Sequence, residues 1–160
     1  MTASYHPTPG ALLWRLAMKW QAAVDRAVTP LGLTHAQYSL LGSLRAMTNA
    51  GDRPSQRELA EYTGLDAIFV SKLIATLERN GLVTRAKHPM DSRAVELSLT
   101  DVGVEAIDKA VVVVRDLQDQ LTEPLGGLDS KNTKQFITTM QRLLTAPPHP
   151  EADNTKGNHQ

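Results

Sequence analysis

The stretch that decides the fold is residues 55–99, SQRELAEYTGLDAIFVSKLIATLERNGLVTRAKHPMDSRAVELSL. It opens with Ser55 and, three residues later, Glu58, a spacing at which the two side chains satisfy free backbone N–H groups at a helix start. Gly64 interrupts this first helix, and Asp66 can act as the N-cap of the next one. The pattern predicts two short helices joined by a tight turn.

Small and apolar residues indicate that these two helices pack as a helix-turn-helix. Ala60 lets the second helix approach the first, and Gly64, four residues later, tolerates the positive φ that the turn needs. In the second helix, at about 66–80, Val70 and Leu73 are expected to face back onto the first. Such a motif places its second, recognition helix in the DNA major groove. The apolar residues expected along this helix are Ile68, Val70, Leu73, Ile74 and Leu77.

The sequence period changes after residue 81. Residues 82–85 form a short strand candidate, and the apolar residues of 95–99 alternate with polar ones, as in a half-buried strand. A polar loop at 87–92 would join them. We therefore expect a β-hairpin, or wing, over about 82–99 with a basic tip.

The recognition helix and the wing carry side chains that can contact DNA. Small polar and basic groups reach base edges and phosphates, and Phe69 can touch a thymine methyl group. Taken one by one, these side chains could equally be solvated surface, and an Asp91–Arg93 pair an ordinary surface ion pair. As a set they favour DNA. The candidates are Ser55, Gln56, Ala67, Phe69, Ser71, Lys72, Thr76, Arg79, Arg85, Lys87, His88, Asp91 and Arg93.

Charge is distributed unevenly along the chain. The 160 residues include 17 basic and 17 acidic side chains, so the formal net charge is zero. Residues 67–93 contain five basic and two acidic side chains, a local charge of +3, which leaves −3 for the rest. A neutral protein can therefore hold a phosphate backbone at this segment.

Several classes of function lack support in the sequence. The absence of cysteine excludes disulfides, thiolate nucleophiles and cysteine-based metal sites. There is no phosphate-binding loop and no serine nucleophile motif. We expect no enzyme activity, metal or other cofactor. Without a long apolar run or a signal peptide, we expect no membrane association and a cytoplasmic location. The histidines are scattered, at His6, His35, His88, His149 and His159.

Helical periodicity continues on both sides of the winged segment, so the fold class is mainly α with a small β-hairpin wing (α+β). A helix is expected at about 11–29, and another after Thr34. Further helices are expected at about 101–122 and, capped by Asp129, up to 145. A flexible N-terminus (1–10) and a disordered tail (146–160) complete the chain. The apolar stripe of the first helix is Leu12, Leu13, Leu16, Trp20, Val24, Val28 and Leu31.

Three runs, in this order and spacing, resemble the MarR family of transcriptional regulators. They are LERNGLVTR at 77–85, DSRAV at 91–95 and LTDVG at 99–103. The family patterns are Leu-Glu-x-x-Gly-Leu-Val-x-Arg, Asp-x-Arg-Ala and Leu-Thr-x-x-Gly. The resemblance covers about 11–145.

The resemblance implies an obligate homodimer that binds double-stranded DNA at a palindromic operator. It implies dimerisation helices at 11–33 and 101–145 on either side of a winged helix-turn-helix domain at 34–100. It also implies that Arg93 enters the minor groove beside Asp91. The two recognition helices of such a dimer must lie roughly 34 Å apart, one turn of DNA.

Family members usually lose DNA affinity when a small ligand binds. Family ligands often lie between the dimer helices and the winged domain, a place that would be lined here by Trp14, Arg15, Met18, His35 and Tyr38. These groups would suit a small aromatic acid or phenol, although aromatic residues at helical spacing are also typical of a core. The alternative is a ligand-independent regulator that acts by occupancy or through a protein partner.

Overall fold

The computed structural model describes the backbone of residues 7–88 and 91–146, and the side chains of 7–87 and 95–146. This part of the chain confirms the mainly helical fold class with a two-stranded antiparallel hairpin. None of the helices in these ranges combines the length and the apolar character of a membrane-spanning segment. Most of the expected tail, and the start of the expected flexible N-terminus, lie outside the described residues. The elements are α1 (Pro9–Val28), α2 (His35–Asn49), α3 (Gln56–Thr63), α4 (Ala67–Arg79), β1 (Val83–His88), β2 (Asp91–Leu99), α5 (Asp101–Leu121) and α6 (Lys131–Thr145).

Side-chain caps fix the starts of the helices. The capping box of α3 is present, because Ser55 N donates to Glu58 Oε2 at 2.7 Å and Glu58 N donates to Ser55 Oγ at 3.3 Å. Asp66 caps α4 by accepting from Phe69 N at 3.0 Å. The expected starts of these two helices are thus confirmed.

Two expected helix starts need correction. The first helix begins at Pro9 rather than at residue 11, because Thr8 accepts from Ala11 N and proline suits the first turn. The N-cap of α6 is Ser130 rather than Asp129. Ser130 has extended backbone angles, and its Oγ accepts from Thr133 N at 3.1 Å.

The wing spans the expected part of the chain, but its strands are longer than expected, since most of the predicted 87–92 loop belongs to them. Val83 pairs with Leu99, and pairing continues to Lys87 with Val95. Beyond an irregularity, His88 pairs with Asp91. Strand pairing depends on backbone hydrogen bonds and continues among polar residues. The alternation of apolar residues therefore predicted strands that were too short.

The chain divides into two compact units, 1–118 and 119–160. In the first unit, leucines 40, 41 and 44 of α2 belong to the core and are fully buried. Leu59 of α3, Ile74 of α4 and Ile107 of α5 are also fully buried in this core. The described part of the second unit holds the end of α5 and helix α6, where Thr133 is buried and donates to Gly127 O at 2.7 Å.

Helix α5 begins in close contact with the end of α4. Thr100 Oγ1 donates to Gly81 O at 2.6 Å and accepts from Gly103 N at 2.9 Å, while Thr100 N donates to Leu82 O at 3.1 Å. A Cβ atom on Gly103 would lie only 2.0 Å from Leu82 O. The Leu-Thr-x-x-Gly pattern therefore has a local reason: the threonine caps both segments and the glycine leaves room for them to meet.

The apolar stripe expected along the first helix is only partly buried. Val24 and Val28 belong to the core, whereas Leu12, Leu13 and Leu16 are exposed. In the second half of α1 the stripe therefore packs into the core of its own chain, and in the first half it lies at the surface. An uncovered apolar face of this kind is typical of a protein interface.

Candidate nucleic-acid interface

The α3–turn–α4 segment has the packing expected of a helix-turn-helix. Gly64 ends α3 with φ at 67°, the left-handed conformation that glycine adopts without strain. Leu59 and Ala60 of α3 and Val70 of α4 are buried in one cluster, and Leu73 packs at its edge. The core thus holds one side of α4 and leaves the other side open.

The open side of α4 carries a row of four residues that we name the outward ridge: Ile68, Lys72, Ala75 and Arg79. Their spacings of four, three and four residues place them along one helix face. All four are exposed. This ridge lies on the side of α4 opposite the residues that the core buries.

Sequence reasoning named Ile68 among the apolar residues of this helix and did not include it among the candidate DNA contacts. Ile68 is 67% exposed, whereas Val70 is fully buried. Two residues along an α-helix are separated by about 200°, so the two side chains cannot both face the core. Ala75 was not among the candidates either, although it lies three residues after Lys72 and so on the same helix face.

The other recognition-helix candidates differ in solvent exposure and in the hydrogen bonds that their side chains already make. Ala67, Ser71, Lys72 and Arg79 are exposed. Thr76 is half-buried, and its hydroxyl donates to Lys72 O and accepts from Arg79 Nη2, both at 3.1 Å. At the start of α3, Ser55 and Gln56 are half-buried, and the Ser55 hydroxyl already serves the cap.

An ion pair joins the wing to the recognition helix. Arg85 Nε on β1 lies 3.1 Å from Glu78 Oε2 on α4, and the Arg85 side chain is only 29% exposed. Lys87, two residues further along β1, is exposed. The remaining wing candidates, the side chains of His88, Asp91 and Arg93, lie outside the described residues.

A cleft of about 510 Å³ lies beside the recognition helix. Tyr62 and Phe69 provide aromatic walls, and His35 and Ser39 on α2 provide polar groups. Burial lowers the pKa of His35 and outweighs the opposite effect of Asp25, so the imidazole favours its neutral form. The lining residues are Gln21, His35, Ala36, Ser39, Ser43, Tyr62, Thr63, Leu65 and Phe69.

Of the five residues expected to line a ligand pocket, the structure places His35 at this cleft. Trp14, Arg15 and Met18 lie on the exposed first half of α1. Tyr38 packs against the core, and burial raises its pKa. Across the described ranges, no three histidine, aspartate or glutamate side chains lie together as a metal site.

The chain is similar to known regulators in sequence. A model of the MarR family matches residues 31–94, which include the helix-turn-helix and most of the wing. The chain is 33% identical over 137 residues to the uncharacterised HTH-type transcriptional regulator YdcH of Bacillus subtilis (strain 168). That alignment covers 86% of this chain and 90% of the relative.

Two solved structures have a similar fold. The PcaV transcriptional regulator of Streptomyces coelicolor, in complex with its natural ligand, is 26% identical with a TM-score of 0.74 and covers 91% of this chain and 99% of its own. The transcriptional repressor CouR, bound to a 23-mer DNA duplex, is 27% identical with a TM-score of 0.72 and covers 87% of this chain and 93% of its own. With the YdcH alignment and the winged helix-turn-helix geometry, these matches show that the chain belongs to the MarR family and is a DNA-binding transcriptional regulator, a kind of protein that is not an enzyme.

Proposed function

We propose that this regulator acts as a homodimer that binds a palindromic operator and represses transcription. The observation that carries the proposal is the outward ridge of α4, which presents Lys72 and Arg79 on the open side of a helix-turn-helix beside a wing. The similar protein CouR, a transcriptional repressor bound to a DNA duplex, supports DNA binding and repression. Lys72 can bind a guanine edge or a phosphate, and Arg79 a phosphate.

Dimerisation would account for the exposed face of α1. Leu12, Leu13 and Leu16 are 37–49% exposed in the single chain, and covering such a face with a second copy removes apolar surface from water. We propose that 11–33 and 101–145 provide the dimer contacts and that 34–100 binds DNA. A two-fold dimer then requires a two-fold symmetric site.

The DNA upstream of the protein's own gene is the first target to test, because such regulators often control neighbouring genes. Purified protein is mixed with overlapping duplexes from that region, and the bound duplex is mapped by footprinting. We expect one protected site with two inverted half-sites. Protection of a site without two-fold symmetry would contradict the dimeric part of the proposal.

Substitution Arg93→Ala tests the wing on the mapped duplex. We expect weaker binding to specific and unrelated duplexes alike. The slope of log affinity against log salt concentration should be smaller in magnitude by about one, as for loss of one cation that neutralises a phosphate. The measurement is fluorescence anisotropy over a series of salt concentrations. Lys131→Ala, a cation on α6 outside 34–100, is the control and should bind as wild type does. Unchanged affinity in Arg93→Ala would rule out the wing contact.

We further propose that a small aromatic or phenolic ligand releases the operator by binding the cleft beside α4. The cleft has the size of a small-molecule site, with aromatic walls and a few polar groups. Its residues come from α2 through His35, from α3 through Tyr62 and from α4 through Phe69. A ligand there contacts the recognition helix, and it lowers DNA affinity if it binds the DNA-free arrangement better. The ligand-bound structure of PcaV supports ligand response.

Substitution Ser39→Leu tests the cleft. The larger side chain fills space that a ligand would need, so we expect release by aromatic acids to require at least about ten-fold more ligand, while DNA affinity without ligand stays unchanged. Anisotropy is followed during titration with benzoate, salicylate and hydroxybenzoates. Ala46→Leu, on an exposed position of the same helix, should respond as wild type does.

The same titration separates the two forms of regulation. If no aromatic acid shifts DNA affinity of the wild-type protein, the ligand-independent alternative stands. If the acids act equally on wild type and Ser39→Leu, the ligand binds elsewhere, and the exposed residues Trp14, Arg15 and Met18 of α1 become the next positions to replace.

A further inference from the structure

We propose that Ile68 reads the 5-methyl group of a thymine in each operator half-site. The inference rests on the proposed operator binding and specifies one base that the site must contain. It differs from the sequence-based expectation, which gave the thymine methyl contact to Phe69.

The position of Ile68 is the first observation. Ile68 lies on the outward ridge one turn before Lys72, and its side chain is 67% exposed. Phe69 is 43% exposed and forms a wall of the cleft instead. Asp66 holds the first turn of α4 through the hydrogen bond from Phe69 N, so Ile68 is presented from an ordered backbone.

The chemistry of the major groove limits what Ile68 can recognise. Every base pair presents hydrogen-bond donors or acceptors there, and thymine adds the one apolar group, its C5 methyl. An isoleucine side chain has no donor or acceptor. Placed against a cytosine amino group it would leave that group without a partner, which costs free energy. Placed against a thymine methyl group it buries apolar surface on both sides.

The neighbouring positions of the ridge allow this approach. Ala75 lies two turns further on and has only a methyl group, so the middle of α4 can come close to the base edges. Lys72, between them, has a long side chain that can reach past the helix surface to a guanine or phosphate. The outward ridge thus alternates apolar and basic side chains. Of its two apolar residues, Ile68 has the side chain long enough to contact a base.

The test replaces thymine by deoxyuridine, one position at a time, in one half-site of the duplex mapped above. Deoxyuridine keeps the base pair and removes only the methyl group. We expect the wild-type protein to lose about four-fold in affinity at one position, the effect of one methyl-sized apolar contact. Ile68→Ala should bind the thymine duplex more weakly than wild type and should not distinguish thymine from uracil at that position.

Two further variants make the result specific. Lys72→Ala, on the same ridge, should bind both duplexes more weakly and keep the wild-type ratio between them. Ile68→Val should keep part of the ratio. Circular dichroism and thermal melting should be unchanged in Ile68→Ala, because the side chain is exposed.

The inference would be overturned if the wild-type protein bound every uracil duplex as tightly as the thymine duplex. It would also be overturned if Ile68→Ala kept the wild-type ratio of affinities for the thymine and uracil duplexes. In both cases the symmetric operator and the proposed function would stand. If the footprint shows no symmetric site on any duplex, the proposed function fails first and the inference falls with it.

Discussion

Replacement of Gly103 by alanine is expected to lower the free energy of unfolding by about 3 kcal/mol, at the upper end of the range for overpacked sites. The new Cβ would lie 2.0 Å from the carbonyl oxygen of Leu82, and backbone atoms cannot move aside as a flexible side chain can. Separating the two segments also breaks the hydrogen bond from Thr100 N to Leu82 O. For a chain of this size, thermal melting should show a decrease of roughly 10 °C.

The same substitution at Gly10 is the matched control. Gly10 also lies in a helix, but no atom lies within 4 Å of a Cβ built there. Because alanine favours helix over glycine, Gly10→Ala should melt at the wild-type temperature or slightly above it. A Gly103→Ala protein that melts within about 2 °C of wild type would contradict the close approach of α5 to Leu82.

The double substitution Leu12→Asp with Leu16→Asp is expected to produce a monomer that has lost at least about 100-fold in operator affinity. The two leucines are four residues apart on one side of α1 and are exposed in the single chain. Two carboxylates in an apolar interface would be desolvated without partners, which opposes association. A monomer then binds each half-site separately and loses the gain from linked binding.

Sedimentation and anisotropy on the full operator measure the two effects together. Ala46→Asp with Asn49→Asp adds the same charge at exposed positions of α2, so it controls for repulsion between added carboxylates and DNA. That control should remain a dimer and bind more tightly than the α1 variant. A dimeric Leu12→Asp, Leu16→Asp protein would show that the first half of α1 is not the interface.

Sequence reasoning worked best where a single residue has a local backbone role. Ser55, Gly64 and Asp66 act through hydrogen bonds or φ values within a few residues, and each is found where its chemistry places it. It failed where either of two neighbouring residues could act as the N-cap of a helix. Ser130 rather than Asp129 caps α6, a difference of one residue that depends on the turn preceding the helix.

Interface residues were harder to predict because exposure depends on the rest of the fold. The sequence pattern shows that Ile68, Leu12 and Leu16 are apolar, and it places them in helices. It does not show that other helices bury Val70 and Val28 while Ile68, Leu12 and Leu16 remain in contact with water. The sequence also did not distinguish the candidate ligand residues from core residues. His35 lines the cleft, whereas Tyr38, three residues later, packs against the core.

By itself, the sequence determined the winged helix-turn-helix, because caps, the turn glycine and alternating strands act over short distances along the chain. The tertiary structure decided which side of α4 is open, and so moved Ile68 onto the outward ridge. It also decided that the wing is joined to α4 through Arg85 and Glu78, and that Gly103 leaves room for α5 against Leu82. These contacts join different helices and strands, and their distances depend on how those elements pack rather than on any local pattern.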